Sequence, residues 1–254
     1  MKKIEARVQL IRYTGAPEEL IASAAKLCYA EDTETIFDQK PEQAKKFVGM
    51  LRNMGHMSPI EHAVFTFYIE GVSRAMTHQL VRHRLASYSQ RSQRYVTHGG
   101  FDYIIPPQLK GKKVKDKGAD VDAERYFEET MEYLAERYVK LNEALGDKGE
   151  SSNEDARYIL PNACETKILM TMNARELLHF FGERLCMRAQ WEIRGVADQM
   201  LMLVREVCPS VFDGVGPKCI RLGKCPEKKM TCGEFEKIKQ RYAKLEGSGT
   251  IRKK

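Results

Sequence analysis

A stretch of the chain from residue 71 to residue 101 contains arginines but no acidic residue and no lysine. A solvated basic surface usually mixes lysine with arginine and adds compensating glutamates. The planar guanidinium group instead forms paired hydrogen bonds with phosphate or carboxylate. An arginine-only stretch therefore predicts recognition of such an anion. Its five arginines are Arg74, Arg82, Arg84, Arg91 and Arg94.

Two groups of polar residues within this stretch have the spacing of a binding site. Arg82-His83-Arg84 is followed, after seven residues, by Ser92-Gln93-Arg94. Consecutive side chains at a helix end point about 100° apart, so the first three should contact different groups or different chains. The following loop offers short hydrogen-bonding side chains and a guanidinium, which suit a phosphate site; these residues are Ser87, Ser89, Gln90, Ser92 and Arg94. A solvated helix end is the alternative.

These residues also resemble the signature of a known family. The pattern Arg-His-Arg, seven residues and Ser at positions 82–92 is similar to that of flavin-dependent thymidylate synthases. Other motifs follow in the family's order over residues 4–212: a His-x-Ser-Pro-x-x-His segment at 56–62, Gln79, Arg157, Asn173-Ala174-Arg175, His179, Arg184 and Gln190-Trp191-Glu192-Ile193. An ordered series is more specific than one tripeptide.

The resemblance implies a reaction and an assembly. Members of that family convert dUMP to dTMP, taking the carbon from methylenetetrahydrofolate and the hydride from reduced FAD, which NADPH usually reduces. They are homotetramers whose active sites lie between subunits. We therefore expect FAD as the cofactor, dUMP, methylenetetrahydrofolate and NADPH as partners, and a homotetramer. The flavin would perform the redox chemistry while the protein positions and polarises the reactants.

The resemblance also implies roles for single residues. Positions that match flavin-binding residues are Ser58, Arg82, His83, Arg84, Gln90, Asn173, Ala174, Arg175 and His179. Positions that match the dUMP site are Gln79, Leu80, Val81, Arg82, Gln90, Arg91, Ser92, Gln93, Arg94, Arg157 and Arg184. Arg184 matches the catalytic residue that polarises the uracil ring, a task that suits a permanent charge. His56, which matches a position near flavin and folate, is grouped with the substrate-binding residues.

Ser92 allows two interpretations, a nucleophile or a hydrogen-bonding residue. A serine hydroxyl is a poor nucleophile without a positioned base. His83 is assigned to the flavin, and no carboxylate lies in the stretch around Ser92. We therefore expect Ser92 to form hydrogen bonds. The family has Glu or Gln at residue 90, and Gln90 excludes a carboxylate base there.

Hydrophobic periodicity predicts the elements that position these residues. The pattern indicates one α+β domain with a central mixed or antiparallel sheet flanked by long helices. Strands are predicted over residues 4–13, 62–70 and 165–172, and helices over 17–30, 41–54, 73–86, 120–145, 174–188 and 191–208. Ser73 and Asn173 are predicted helix caps. Residues 87–100 are predicted to be loop-like and residues 110–117 to form an exposed turn.

The composition excludes several classes of protein. The chain has 254 residues, of which 43% are hydrophobic and 30% charged. No apolar run approaches the ~20 residues of a membrane span. The first residues lead into an alternating segment rather than an apolar one, so we expect no secretory signal and a cytoplasmic protein. We expect the family domain to cover residues 1–212, followed by a basic, cysteine-containing extension at 213–254.

The net charge of +7 leaves two other functions open. It includes an acidic segment of net −8 over residues 119–155, which contains a predicted helix, and a basic tail of net +8 over residues 218–254. A nucleic-acid-binding protein could use the tail, but the lysine-rich part has only Phe235 and Tyr242 for stacking on bases, so no nucleic-acid partner is expected. A nucleotide-binding module without turnover is the other alternative.

Four of the seven cysteines fall close together near the C-terminus: Cys208, Cys219, Cys225 and Cys232. Such a run raises the possibility of zinc. The spacing, however, contains no Cys-x₂₋₄-Cys pair of the kind that structural zinc sites use. We predict free thiols and no metal, with zinc as the alternative.

Overall fold

The computed structural model describes residues 1–31, 33–243 and 250–251. It confirms the α+β class. The strands are β1 (Arg7–Tyr13), β2 (Val64–Ser73), β3 (Ala86–Gln90), β4 (Lys113–Asp116), β5 (Ala119–Asp122), β6 (Glu165–Asn173) and β7 (Thr250–Ile251). The helices are α1 (Pro17–Leu27), α2 (Pro41–Met54), α3 (Arg74–Leu80), α4 (Ala123–Ala144), α5 (Glu150–Ala156), α6 (Ala174–Arg184), α7 (Trp191–Val207), α8 (Pro209–Phe212), α9 (Lys218–Leu222) and α10 (Phe235–Ala243). Among these described helices, none is long and apolar enough to cross a membrane.

Five strands form one sheet in the order β3-β6-β2-β1-β7. β1 and β7 pair in parallel, with Leu10 beside Ile251. Along β2, the buried side chains Phe65, Phe67 and Ile69 alternate with more exposed ones. That alternation is the period of two expected for a strand, and it explains why the strands over 62–70 and 165–172 could be predicted.

The chain divides into two compact units, each made of segments that are distant in sequence. The α6 unit comprises Arg7–Ile69, Leu80–Tyr88 and Leu169–Lys254. The α4 unit comprises Met1–Ala6, Glu70–Gln79 and Ser89–Ile168. The arginine-only stretch of the sequence is therefore shared, because Arg82 and Arg84 belong to the α6 unit and Arg91 and Arg94 to the α4 unit.

Aromatic side chains anchor the buried face of α6. Phe212 of α8 packs edge-to-face on Phe65 of β2 and on Phe181 of α6, with ring centroids 5.5 Å and 6.0 Å apart. All three rings are fully buried. Such pairs stabilise a core beyond the area that they bury. They fix one face of α6 and leave another for polar residues.

The α4 unit has its own apolar core, formed by Phe101, Tyr103, Ile105, Met131, Ala135 and Cys164. Beside it lies a buried polar link. Asn153 Oδ1 accepts a hydrogen bond from Tyr138 Oη at 2.9 Å, and Asn153 Nδ2 donates to the carbonyl of Arg94 at 2.9 Å. A buried side chain therefore fixes the backbone of the loop that carries the second polar group.

The structure corrects the elements around the first polar group. The helix predicted over residues 73–86 ends at Leu80, and the residues predicted to be loop-like from 87 include most of strand β3. Tyr88 Oη donates to the carbonyls of Leu80 and His83, both at 2.9 Å, and so closes a turn between α3 and β3. Arg82-His83-Arg84 lies in that turn. The predicted cap at Ser73 is confirmed, because its Oγ accepts from Met76 N at 3.0 Å.

Two further boundaries differ from the sequence prediction. The turn predicted over residues 110–117 contains β4 of a hairpin in which Val114 pairs with Val121. The following helix α4 therefore begins at Ala123, after its cap Asp122. Helix α6 ends at Arg184 instead of residue 188.

Candidate active site

The N-terminus of α6 is capped as the sequence predicts. Asn173 Oδ1 accepts a hydrogen bond from Glu176 N at 2.8 Å. The N–H of Ala174 donates to the carbonyl of Ala63, also at 2.8 Å, which ties the start of α6 to the segment before β2. Because residues three and four apart share a helix face, Glu176, His179 and Glu183 form one polar face of α6.

A cavity of about 600 Å³ opens beside this polar face. Its walls come from the turn between α3 and β3 and from α6: Arg82, His83, Arg84, Leu85, Glu176, His179, Glu183 and Arg184. Two motifs about a hundred residues apart in sequence thus meet within the α6 unit. They include four of the predicted flavin-binding residues and the predicted catalytic Arg184.

His83 is a buried residue in the wall of this cavity. Its Nδ1 lies 3.3 Å from Glu176 Oε1, and its Nε2 lies 3.0 Å from Arg184 Nε. A guanidinium can only donate, so Nε2 must accept and Nδ1 must carry the proton that it donates to Glu176. The imidazole is therefore neutral, held in one tautomer between a carboxylate and a guanidinium.

The pKa values of this group agree with a neutral imidazole. Burial, with the positive charges of Arg184 and His179 adding to it, lowers the pKa of His83 to about 4. Burial also raises the pKa of Glu176. The ring of Phe180 packs edge-to-face on His83 with centroids 5.0 Å apart, which accounts for the low polarity around the imidazole. His83 thus lines the cavity as a neutral imidazole that is held by hydrogen bonds.

The same residues provide ligand atoms that a metal ion could use. His83, Glu176 and His179 each offer one within 4.8 Å of the others. However, both ring nitrogens of His83 are already engaged. Nε2 accepts a hydrogen bond from Arg184, and Nδ1 donates one to Glu176. A metal would have to displace one of these contacts beside a permanent positive charge. The arrangement favours an anionic or polar ligand over a cation.

A second cavity, of about 780 Å³, lies on another side of α6. Arg175 and His179 of α6 line it, so His179 contributes to both cavities. Its other cationic side chains are Arg52, Lys218 and Arg221. Arg175 also forms an ion pair of 2.6 Å with Glu61. Two cation-lined cavities therefore flank one helix.

The predicted flavin and folate residues before β2 lie near the second cavity. Gly55 and Met57 line it, and His56 between them is exposed. Ser58 is exposed at the start of the short 3-10 turn Pro59–His62.

The remaining predicted dUMP residues show a different pattern of contacts within the α4 unit. Gln90 Nε2 donates to the hydroxyls of Thr77 and Thr166 at 2.9 Å and 3.2 Å. Arg94 pairs with Glu150 and Glu154 of α5 at 2.8 Å and 3.0 Å. Arg91 lies 3.9 Å from Glu165. Arg91 keeps 39% of its side-chain surface exposed and Arg94 keeps 41%, whereas His83 is buried.

Ser92 and Arg157 have mainly local contacts. Ser92 Oγ accepts hydrogen bonds from the N–H groups of Arg94 and Tyr95 at 3.0 Å and 3.3 Å, an arrangement typical of a turn. Arg157 Nε donates to the carbonyl of Glu154 at 3.2 Å. The hydroxyl of Ser92 thus acts as an acceptor in the fold.

The residues at the end of α3 differ in exposure. Leu80 is fully buried, Val81 is exposed, and Gln79 is half-buried. Gln79 belongs to the α4 unit and the other two to the α6 unit. Leu80 can therefore support a ligand through the backbone of its turn more readily than through its side chain.

Sequence reasoning missed the carboxylates of these sites. Glu176 is not among the predicted site residues, although its spacing of three from His179 places both residues on one face of α6. Glu150, Glu154 and Glu165 reach the arginines from residues outside the acid-free stretch. Only the fold could show that a stretch without acids in sequence has acids around it in space.

Comparison with known proteins agrees with these motifs. A family model described as thymidylate synthase complementing protein matches residues 9–210. A flavin-dependent thymidylate synthase of Clostridium tetani is 48% identical, covering 95% of this chain and 98% of that protein. One of Pyrococcus abyssi is 42% identical, covering 94% and 97%. The chain therefore belongs to the flavin-dependent thymidylate synthase family, and the resemblance seen in its sequence is confirmed.

A solved structure shares the fold. A UMP/dUMP methylase, PolB from Streptomyces cacaoi, bound with 5-Br dUMP, aligns with a TM-score of 0.68 at 24% identity. The alignment covers 83% of this chain and 94% of that one. At this identity, the similarity supports the α+β architecture of the family and the residue roles must be argued from the contacts above.

Proposed function

We propose that this enzyme methylates dUMP reductively to dTMP, with FAD as cofactor, methylenetetrahydrofolate as carbon donor and NADPH as reductant. The observation that carries the proposal is the meeting of Arg82-His83-Arg84 with α6 around a buried, neutral His83. These two motifs are the ones whose sequence resembles the family signature. The fold assembles them as one site although they are about a hundred residues apart.

The cavities beside α6 suit a cofactor that carries a pyrophosphate and a flat ring system. Exposed Arg82 and Arg84 and half-buried Arg184 supply positive charge at one cavity, and Arg175 and Lys218 supply it at the other. Guanidinium groups bind phosphate oxygens in pairs. When bound, FAD supplies the hydride chemistry. We propose that Arg82, Arg84, Arg175 and His179 bind it, that Ser58, Gln90, Asn173 and Ala174 support them, and that His83 orients Arg184.

Arg184 is proposed as the residue that polarises the uracil ring. A guanidinium has five N–H donors, and the one on Nε is used by His83. The terminal nitrogens can donate to a pyrimidine carbonyl and stabilise negative charge that develops on the ring. Because His83 is neutral and held by Glu176, it fixes the guanidinium without adding a second positive charge. The donor is therefore in place before the substrate reacts, as electrostatic catalysis requires.

The dUMP phosphate is proposed to bind the arginines of the α4 unit. Arg94 holds two glutamates through exposed ion pairs, which are worth about 0.2–1 kcal/mol each. A dianionic phosphate can replace such partners. Arg91, Arg157, Gln93 and Ser92 lie on or near the same segments. Gln79 and Leu80 end α3, and Val81 precedes the first polar group. His56 is proposed to lie close to the folate and the flavin.

Several finer features of the proposal rest on the sequence and on its resemblance to the family. We propose a homotetramer whose active sites lie between subunits, a cytoplasmic protein without nucleic-acid partner, and a division into residues 1–212 and a C-terminal extension at 213–254. Sedimentation of the purified protein measures the tetramer directly.

The test of the proposed function combines colour with turnover. We expect the purified protein to show flavin absorbance, or to take up added FAD, and to release tritium from dUMP labelled at C5 only when methylenetetrahydrofolate and NADPH are present. Uptake of FAD and dUMP without tritium release or dTMP formation would instead identify a binding module. A protein that takes up no FAD would overturn the proposal.

A further inference from the structure

A third cavity of the α6 unit, of about 190 Å³, lies beyond the C-terminal end of α6. Four cysteines line it, namely Cys186, Cys219, Cys225 and Cys232. Cys186 follows α6 by two residues, Cys219 lies on α9, and the other two flank the 3-10 turn Lys228–Met230. Three remote segments therefore direct thiols to one small cavity.

This set differs from the run of cysteines visible in the sequence. Cys208 is absent from the lining and is fully buried beside α1, where burial raises the pKa of its thiol to about 12. Cys186 takes its place, from a position more than thirty residues before Cys219. The set of four that lines the cavity also lacks a Cys-x₂₋₄-Cys pair. The fold, rather than the spacing, completes a set of four.

Charged side chains of both signs surround the four thiols. Arg184, Arg188 and Lys218 line the same cavity, opposed by Glu183 and Glu227. Lys218 pairs with Glu183, and Arg188 pairs with Glu227. Cys219 lies close enough to Cys186, Cys225 and Cys232 for electrostatic interaction with each of them. Thiols that serve only as apolar filling would be buried, yet Cys232 is exposed and Cys186 and Cys225 are half-buried.

We propose that Cys186, Cys219, Cys225 and Cys232 hold a metal centre through four thiolates, as a zinc ion or an iron–sulfur cluster. Both are bound by sets of four cysteines. Four protein ligands leave no open coordination position, so the centre would bind no substrate. It would fasten α9 and the segment around Lys228–Met230 to the end of α6, two residues after Arg184. The proposal does not depend on the reaction proposed above.

The separation of the sulfurs bears on which centre is held. Within the described residues, the only group of three or more potential ligands that lie within 4.8 Å of one another consists of His83, Glu176 and His179. No three of the four sulfurs therefore lie within that distance of one another. Around one zinc ion, thiolate sulfurs are about 3.8 Å apart, since each Zn–S bond is about 2.3 Å long. A zinc ion would therefore draw the four thiols closer, whereas an iron–sulfur cluster fills a wider site.

Metal analysis of the full chain tests the proposal. The protein is purified anaerobically under reducing conditions and assayed for zinc, iron and acid-labile sulfide, which avoids the overlap between flavin and cluster absorbance. Stripped protein is then reloaded with zinc alone or with ferrous iron and sulfide. We expect about one zinc, or about four irons and four sulfides, per chain. Less than about a tenth of either after both reloadings would overturn the proposal.

Single substitutions separate this centre from adventitious binding. Cys232→Ser changes an exposed residue, so the chain should keep its fold by circular dichroism while its metal content or affinity falls about tenfold or more. Cys28→Ser, at an exposed thiol on the C-terminal side of α1, is the matched control and should keep full metal content. Equal losses in both variants, or no loss in Cys232→Ser, would contradict the assignment.

Discussion

His83 and Arg94 belong to the same acid-free stretch of the sequence, and both meet glutamates in the folded chain. His83 is buried, and it lies between Glu176 and Arg184 with both ring nitrogens engaged. Arg94 keeps 41% of its side-chain surface exposed while it pairs with Glu150 and Glu154. The His83 region should therefore keep its hydrogen bonds when a ligand binds, whereas Arg94 can exchange its ion-pair partners for a ligand.

The difference follows from the surroundings of the charges. A buried polar group whose partner is removed costs about 1–3 kcal/mol, because water cannot replace the lost hydrogen bond. An exposed ion pair contributes less, since water and salt screen it. We therefore assign preorganised polarisation to the His83 region and reversible anion binding to the Arg94 region. The variants below test that assignment.

The largest effect is expected from Arg184→Ala. Loss of one preorganised donor typically lowers kcat by about 10²–10³-fold. The amount of FAD bound per chain should decrease by a smaller factor than kcat does. Single-turnover formation of dTMP by FAD-loaded protein measures this. Arg125→Ala, which removes an exposed arginine paired with Glu129 on α4, is the control and should retain activity. A kcat within a few fold of wild type would remove Arg184 from the catalytic group.

The second prediction concerns the pH dependence of stability in the His83 region. Because the folded-state pKa of His83 is about 4 and its ordinary value is 6.5, the unfolded chain binds more protons between these values. The free energy of unfolding should therefore fall as the pH drops from 6.5 towards 4, by about 2 kcal/mol between pH 7 and pH 5. Glu176, whose pKa is raised, contributes with the opposite sign and stays in the variant.

Urea unfolding of His83→Gln at several pH values measures this contribution. The variant should lose most of that slope, although its stability at pH 7 also falls. His56→Gln, at an exposed histidine, should keep the wild-type slope. If wild type and His83→Gln showed parallel pH profiles, the buried neutral imidazole would not be the cause.

The Arg94 region should respond in substrate affinity instead of stability. Arg94→Ala is expected to raise the KM for dUMP about tenfold with kcat little changed, because an exposed charged hydrogen bond is worth about 1–1.5 kcal/mol. Glu154→Gln should leave KM equal or lower, since it removes a competitor for the guanidinium. Steady-state kinetics at several salt concentrations measures both. An unchanged KM in Arg94→Ala would place the phosphate elsewhere.

Asn173→Ala tests whether the cap of α6 matters to the His83 region. Loss of the bond to Glu176 N should lower the free energy of unfolding by about 1 kcal/mol. Asn173→Asp, which keeps an acceptor oxygen, should retain that stability, as measured by urea unfolding at pH 7. Equal destabilisation by both variants would show that the amide group serves more than the cap.

The smallest effect on turnover among the site residues expected to act in the reaction comes from Ser92→Ala. Its hydroxyl accepts two hydrogen bonds from the loop backbone, so its loss should loosen the loop and reduce turnover by about tenfold or less. Tritium release from labelled dUMP measures this. Complete loss of turnover with dUMP and FAD affinities intact would instead support a nucleophile.

Local patterns were sufficient for much of the fold. Strand β2, the capping residues Ser73 and Asn173, and most of the long helix α4 were predicted, since each depends on neighbours in sequence. The end of α3 and the strand β3 were not. Their boundary depends on Tyr88, whose hydroxyl reaches back to Leu80 and His83, and such a contact leaves no periodic signal.

The sequence by itself determined the family, the α+β class and the residues from which a site could be made, because these follow from motif order and periodicity. Only the tertiary structure decided which carboxylate meets each cation. Glu176 fixes the tautomer of the neutral His83, and Glu150 and Glu154 pair with Arg94. Cys186, and not Cys208, lines the cavity with the other three thiols. The physical reason is that charge and hydrogen bonding act over a few ångströms of space, while Glu150 and Arg94 are 56 residues apart along the chain and Glu176 and His83 are 93 apart.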